Sequence, residues 1–586
     1  MNHNNNIRRV CIIGAGISGL PAIKSCLEED LQPVCYERTS DLGGLWNYRE
    51  LGENHSTVMK STVVNTSKEM MTFSDFTPPI EYPNFMHNTL VNEYLHRYAK
   101  HFQLDRHIQY NTEVLKVQKS SDHAETGRWA VTTNDGNEQT FEAVFICTGH
   151  HAQPYKAPIQ GAHKFKGLLM HSQAYLEPKP FEGKRVLVVG IGNSGLDAAV
   201  DLTRHAAQVY MSTRRGSWIW NRVSERGLPF DTLFLTRFRN LCNSLIPLSW
   251  VNDYMEHRLQ MKFDHELYAL RPAHRFFSQH PAVNDALPNL LCSGAIILKD
   301  DIVDMDGNEV KFRDGSVVED IDAIIMCTGY IFGYPFLDPP ELIPVENNEV
   351  RLYKYVFPPD FAHPTMAVIG LTQPYGSISP ISELQSRWAA RVFAGRCQLP
   401  PKSVMLDDIK RKRAAMRAQY FDTMRHTVQV DFIKYMDEIA DQIDCKPNLW
   451  RTALTDPWLA AQLLFGPNVP YVYRLRGPHK WAKARETIMN TRKRVAAPLA
   501  QRPKSVKEAD YKSGGVKSSV KLYVKAVSYQ STVIFLLFFI GYYLIGATLL
   551  GGNGFGLFLT VLTVAVVLLY FMIRRANIAA DMVSVF

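Results

Sequence analysis

FKGLLMHSQAYLEPKPFEGKRVLVVGIGNSGLD, residues 165–197, decides how this chain is read. It closes on Gly190-x-Gly192-x-x-Gly195, directly after the apolar run 186–189. Each glycine of such a loop has a mechanical task. The first permits a tight turn, the second lets backbone approach a pyrophosphate, and the third lets the following helix pack on the strand. The helix N-terminus, here including Asn193 and Ser194, then offers N–H groups to phosphate. The same plan stands near the N-terminus, where Val10-Cys11-Ile12-Ile13 leads into Gly14-Ala15-Gly16-Ile17-Ser18-Gly19. One such loop is also the bland start of a glycine-rich helix. Two strand–loop–helix units in one chain point to two bound dinucleotides.

The acids and bases at the ends of the second strands tell the two units apart. The run 33–37 ends in Glu37, 18 residues after Gly19, near the spacing at which a carboxylate takes ribose hydroxyls. Its rival reading is a surface acid at a strand end. The run 208–213 ends instead in Ser212-Thr213-Arg214-Arg215. A carboxylate there would repel a 2′-phosphate, whereas an arginine accepts it in a bidentate fork. The second nucleotide is therefore expected to be NADPH, with a solvated arginine pair as the alternative. Two further strands end alike, in Cys147-Thr-Gly149 and Cys327-Thr-Gly329, and are expected to be the crossovers between the units.

The other pattern in the opening stretch is Phe165-x-Gly167-x-x-x-His171-x-x-x-Tyr175. With Asn65-Thr-Ser-Lys-Glu-Met-Met71, Pro83-Asn-Phe-Met-His-Asn88 and Met326-Cys-Thr-Gly-Tyr330, it resembles the flavin-containing monooxygenases over roughly residues 8–499. Phe263-Asp-His-Glu266 and Ser278-Gln-His-Pro281 resemble the isoform-five group of the animal enzymes. Met326-Cys-Thr-Gly-Tyr330 departs from the family's usual Phe-Ala-Thr-Gly-Tyr. The resemblance implies FAD on Gly14, Gly16, Gly19, Glu37, Gly44, Leu45, Trp46 and Gln373. It implies that Asn65 is the active-site asparagine, although alone Asn65 reads as a turn residue. Chemically, an amide donates and accepts without titrating. The implied reaction uses NADPH and O2 to form a flavin hydroperoxide that oxygenates sulfur or nitrogen of small lipophilic compounds. Three rivals stand beside it. Baeyer–Villiger oxygenation of ketones uses the same cofactors. A disulfide reductase needs a CxxC pair, which the sequence lacks. A flavoprotein that only binds or senses would not turn over.

The bulk numbers bound the rest. A chain of 586 residues with 46% hydrophobic and 21% charged residues is globular and divides into several domains. The expected class is α/β: two Rossmann-type domains, a helical insertion and a membrane-anchoring helical tail. The expected division is an FAD domain over 1–155 and 331–445, and an NADPH domain over 156–330 with an insertion near 216–295. A membrane-proximal region over 446–510 and a tail over 511–586 follow. Nine cysteines without zinc spacing suggest a reducing compartment and no metal site. His265, His274 and His280 match no metal spacing and are read as ordinary surface or core histidines.

The net charge of +8 raises the question of nucleic acid. Much of the excess sits at Arg502, Lys504, Lys507, Lys512, Lys517, Lys521 and Lys525, beside two uncharged runs, 532–550 and 554–573. Roughly 20 apolar residues span a bilayer, and basic flanks favour the cytosolic side. The expectation is a helical hairpin in the endoplasmic reticulum membrane, with the globular part cytosolic and no nucleic acid bound. One span plus a stretch lying in the interface is the alternative. Trp450, Trp458 and Leu463-Leu464-Phe465 are a candidate second contact with lipid. Whether the chain forms a homo-oligomer is left open.

Overall fold

A computed structural model describes residues 8–50, 56–151, 153–421 and 426–500. The basic run and both uncharged runs of the tail lie outside the described residues. Among the described residues, no helix is long and apolar enough to cross a membrane.

Two parallel five-stranded sheets carry the fold. The first runs Met366–Val368, Ala143–Ile146, Arg9–Ile13, Gln32–Tyr36, Ile108–Gln109. The second runs Ile296–Lys299, Gln208–Ser212, Arg185–Val189, Ala323–Met326, Leu168–His171. The central strands read RVCII and RVLVV, nearly continuous apolar runs, as strands covered on both faces must be. The two central strands end alike. Gly14 N–H donates to Tyr36 O at 2.8 Å, and Gly190 N–H to Ser212 O at 2.9 Å. Both glycines hold positive φ, +101° and +109°, which a side chain would strain. Gly19 and Gly195 then open the helices Gly19–Glu28 and Asn193–Leu202, the first at its first residue and the second in its first turn. A Cβ on Gly19 would stand 1.8 Å from Gly14 O, and one on Gly195 1.9 Å from Gly190 O.

The return strands Ala143–Ile146 and Ala323–Met326 end under these turns at Cys147 and Cys327. Both cysteines are buried, where a small thiol leaves room for the turn above it. An antiparallel sheet of Val114–Lys119, Trp129–Thr133 and Glu138–Phe141, joined by Leu337–Asp338, lies between the strands of the first sheet in sequence.

The insertion is a crossover. It leaves the strand Gln208–Ser212 and returns as Ile296–Lys299, the neighbouring strand of the same sheet. Within it are the helices Phe230–Phe234, Arg237–Leu245, Leu248–Lys262 and Leu287–Cys292. The helix Ile378–Phe393 packs on Gly19–Glu28, with Ser18 and Ser382 hydroxyls 3.1 Å apart.

Residues 446–500, expected as a membrane-proximal region, contribute to the main core. Leu459, Leu463, Val469, Tyr471, Tyr473 and Ile488 are buried in it. Arg474 is fully enclosed and meets Glu383 at 2.9 Å, Asp75 at 2.9 Å and Glu28 at 3.1 Å. Leu463 therefore turns inward and is not a lipid contact, while Phe465 sets its ring 5.0 Å from Phe238. Trp450, Leu454 and Trp458 point outward, about four-fifths exposed or more.

The glycine contacts give a stability test. Gly19→Ala and Gly195→Ala each force a helix away from its turn, at a cost of about 1–3 kcal/mol or more. Gly333→Ala is the control, because no atom of the described residues lies within 4 Å of its new Cβ and its φ is not positive. Thermal melts should show clear losses for the first two and a change within about 0.5 kcal/mol for the third. Equal melting temperatures for all three would contradict the packing described.

Candidate functional site

Both glycine loops open onto one cavity of about 1490 Å³. A single small-molecule site holds about 300–1,000 Å³, so this volume suits more than one ligand. Gly14, Gly16, Glu37, Gly44, Leu45, Trp46, Asn65 and Gln373 line one part, and Gly192, Asn193 and Ser194 another. Gly19, Gly190 and Gly195 face their own turns and stay out of the lining.

The first cradle is preorganised. Glu37 is buried at the strand end and Ala15 N–H donates to its Oε2 at 2.9 Å. Its Oε1 accepts from Thr39 N at 3.0 Å and from Thr39 Oγ1 at 2.6 Å. The acid thus fixes the glycine loop and still borders the cavity. Gly44, at φ +53°, would put a Cβ 3.1 Å from Gly16 Cα, so two backbones meet with no side chain between them. In the second cradle no atom of the described residues lies within 4 Å of a Cβ placed on Gly192. That open space faces the N-terminus of the helix Asn193–Leu202, where phosphate is favoured. These features fit FAD in the first cradle and NADPH in the second.

Asn65 Oδ1 accepts from Arg222 Nε at 2.9 Å. Gln373 Oε1 accepts from Gln429 Nε2 at 2.6 Å. Asn193 Oδ1 accepts from Val283 N–H at 2.9 Å, which ties the insertion to the helix start. The segment 212–215 does not line the cavity. The Ser212 hydroxyl is buried and donates to Asp300 O at 2.8 Å, and Thr213 Oγ1 accepts from Gly216 N–H at 3.1 Å. Arg214 and Arg215 are exposed, and the Arg215 guanidinium rests 5.2 Å from the Phe421 ring centre.

Of the fingerprint, only His171 reaches the cavity. Its Nδ1 accepts from Gln173 N–H at 3.1 Å and its Nε2 donates to Gly329 O at 3.1 Å, which sets a neutral tautomer. Burial lowers its pKa in the same sense. Phe165 packs against the second sheet, Gly167 lies under Asp322 O, and Tyr175 OH donates to Asp201 Oδ2 at 3.0 Å. Those three hold the fold.

Several lining residues were not singled out by their sequence. His280, read as an ordinary histidine, borders the cavity and stacks on Tyr375 with ring centres 4.1 Å apart and planes 9° apart. The Ser278–Pro281 resemblance was its one signal. His150 and His151 border the cavity, His150 half-buried and His151 exposed. Desolvation pushes His150 down to about 3, and His151 and His280 to about 4. All three are uncharged at pH 7. Arg222, which is not a lining residue but bonds to Asn65, had no signal at all. Among the described residues no cluster of histidine, cysteine and acid could hold a metal.

A family model described as flavin-binding monooxygenase-like matches residues 7–540. Flavin-containing monooxygenase 5 of Rattus norvegicus is 47% identical over 534 residues, covering 90% of this chain and 99% of that protein. The solved S-allyl-L-cysteine S-oxygenase of Allium sativum superposes with a TM-score of 0.57 at 26% identity, over 82% of this chain and 98% of that one. A steroid monooxygenase bound to NADP also gives 0.57, at 18% identity over 74% and 97% of the chains, a likeness of fold alone.

The loop that carries Asn65 is held from below by an acid of the insertion. Asp231 is fully buried and its Oδ2 accepts from Ser67 N–H at 2.6 Å. Among the described residues its Oδ1 has no partner. Burial raises its pKa to about 6. An aspartate with a pKa above its unfolded value of about 3.9 holds its proton more tightly in the fold. Its contribution to stability is full below pH ~4 and is lost as pH rises through about 6. Asp231→Asn keeps the acceptor for Ser67 and removes the charge. The variant should be more stable than the parent at pH 8 by roughly 2–3 kcal/mol, with the gain fading as pH falls through 6 towards 4. A gap that is the same at every pH would refute the assignment.

Proposed function

The chain belongs to the flavin-binding monooxygenase-like family, and from that membership we propose how its own residues serve an NADPH-dependent flavin monooxygenase. The observation that carries the reading is a single cavity bounded by both glycine loops, with Asn65 on its wall. We propose that the substrate is a small lipophilic compound bearing a soft sulfur or nitrogen nucleophile. Bound FAD, once reduced by NADPH, supplies the activation of O2 and the transfer of one of its atoms to that nucleophile.

Backbone N–H groups around Gly14 and Gly16 take the FAD pyrophosphate, and Glu37 accepts from the adenosine ribose. The N–H groups at Asn193 and Ser194 take the phosphates of NADPH, and Arg214 and Arg215 swing onto its 2′-phosphate. Leu45, Trp46 and Met71 border the cavity and limit water there. His150, His151 and His280, uncharged at pH 7, carry no extra proton into the space where oxygen reacts. Asn65 offers a donor that does not titrate, so it could hydrogen-bond a bound cofactor without supplying a proton.

Purified enzyme given NADPH, O2 and a thioether should consume the three together and yield sulfoxide. A methyl ketone turned over to an ester as the main product would favour the Baeyer–Villiger rival. NADPH consumption without oxygen uptake would end the proposal. Arg214→Ala with Arg215→Ala should raise the KM for NADPH more than tenfold and leave that for NADH unchanged, because each charge-assisted bond contributes roughly 1.5–3 kcal/mol. An unchanged NADPH/NADH ratio would assign the phosphate to another residue.

We also propose that the enzyme sits on the cytosolic face of the endoplasmic reticulum. The uncharged runs 532–550 and 554–573 with their basic flanks support this. So do outward apolar side chains on two packed parts of the globular region. Leu245, Leu248 and Trp250 come from the insertion, and Trp450, Leu454 and Trp458 from the helices Leu449–Thr455 and Pro457–Phe465. Those helices meet the insertion through Phe465 and Phe238. Truncation after residue 510 should leave a folded, flavin-loaded protein that still pellets partly with vesicles. Changing Trp450 and Trp458 to Ser in that truncation should abolish pelleting. Complete solubility of the truncation alone would remove the second contact.

A further inference from the structure

Arg222 stands where three parts of the molecule meet. Its side chain is only 15% exposed. Its Nη1 lies 3.2 Å from Asp285 Oδ2, and its own N–H donates to Asp285 Oδ1 at 2.9 Å, so one carboxylate grips it at two points. Its Nη2 lies 3.7 Å from Asp197 Oδ1, on the helix Asn193–Leu202 whose first turn borders the cavity. Its Nε–H donates to Asn65 Oδ1 at 2.9 Å.

A guanidinium has five donors and no acceptor. The amide atom that faces it must therefore be oxygen, and the chemistry of the partner fixes an orientation that an isolated amide leaves open. With Oδ1 engaged, the NH2 of Asn65 is the end left for the cavity. We propose that Arg222 is a positioning residue: it locks the Asn65 amide so that a donor faces the reacting cofactors. Through Asp197 it also ties that orientation to the helix that cradles the nicotinamide nucleotide. This rests on the reading of Asn65 as the residue that contacts the oxygenated cofactor. It accounts for a charged side chain sequestered beside an active-site amide that does not titrate. Small losses of orientation at such a contact have large effects on yield.

The donor is Nε, and this makes a clean comparison. Arg222→Gln puts an amide N–H at the chain position of Nε, whereas Arg222→Met puts a methyl group there. Both remove the two Nη atoms and their pairs with Asp197 and Asp285. FAD content and melting temperature establish that each variant is folded. The readouts are product formed per NADPH and the change in the flavin absorbance bands as NADP⁺ is added to oxidised enzyme. We expect Arg222→Met to lose at least tenfold in product per NADPH and to blunt the spectral change, and Arg222→Gln to keep most of both. Asn65→Ala approaches the same bond from the other side, and Asn65→Ala with Arg222→Met should be no worse than Asn65→Ala alone. Equal behaviour of the Gln and Met variants would show a merely structural ion pair and overturn the proposal, as would losses that multiply in the double variant. Full yield from Asn65→Ala would instead overturn the reading of Asn65, and Arg222 would have nothing to position. If neither Arg222 variant accumulates with FAD, Asp285→Asn releases the two-point grip from outside the cavity. It should lower yield in step with the spectral change, and unchanged values of both would count against the proposal.

Discussion

The structure hangs on one close approach, made twice. The first glycine of each loop turns directly above the carbonyl of the return strand, so that a Cβ on Gly14 would stand 2.8 Å from Cys147 O and one on Gly190 2.6 Å from Cys327 O. No side chain fits in that gap. Because the turn is this tight, the third glycine must bring its helix against the first, and the helix N-terminus is aimed into the space beyond the strand ends. The small thiols of Cys147 and Cys327 follow from the same restriction. Their Cβ atoms lie 3.7 and 3.4 Å from the Cβ that Gly19 or Gly195 would carry. The departure of Met326-Cys-Thr-Gly-Tyr330 from the family's alanine keeps a small residue at that point.

Around these two rigid turns the less regular parts act as braces. Glu37 holds Ala15, so the loop is set before any ligand arrives. The crossover between two neighbouring strands sends Asp231 to Ser67 and Arg222 to Asn65, and so holds the irregular loop from the other unit. Arg474 does the equivalent from the C-terminal side, where three acids meet one enclosed guanidinium. Buried charges of this kind add little net stability in themselves, but removal of one partner strands the others. They make the relative placement of distant segments all-or-none.

The same logic sorts the polar residues by role. Fingerprint positions Phe165, Gly167 and Tyr175 serve the second sheet, while His171 between them turns to the cavity in a fixed neutral tautomer. Of the four, only His171 belongs to the strand Leu168–His171, as its last residue, where the chain leaves the sheet and borders the cavity. Histidines 150 and 280 add aromatic surface without charge because burial disfavours the imidazolium.

Local backbone chemistry is what the sequence determined alone. Glycine spacing, the apolar runs 10–13 and 186–189, and the small residues before each Thr-Gly specify turns and parallel strands over a few residues, and those constraints act wherever the chain goes. Glu37 was legible for the same reason, since its distance from Gly19 is fixed by one strand–helix–strand unit. Arg214 and Arg215 were legible as charges at a strand end, but not as side chains lying outside the cavity, with Arg215 against Phe421. The partners of the loop that carries Asn65 could not be read. Arg222 lies 157 residues from Asn65 and Asp231 lies 164 from Ser67, and a lone arginine or aspartate in the insertion carries no period or spacing to mark it. His280 looked ordinary because its neighbour, Tyr375, is 95 residues away in sequence. Only tertiary folding decides which distant groups share a cavity wall, because such contacts depend on how the sheets and the crossover pack and not on any local preference of the chain.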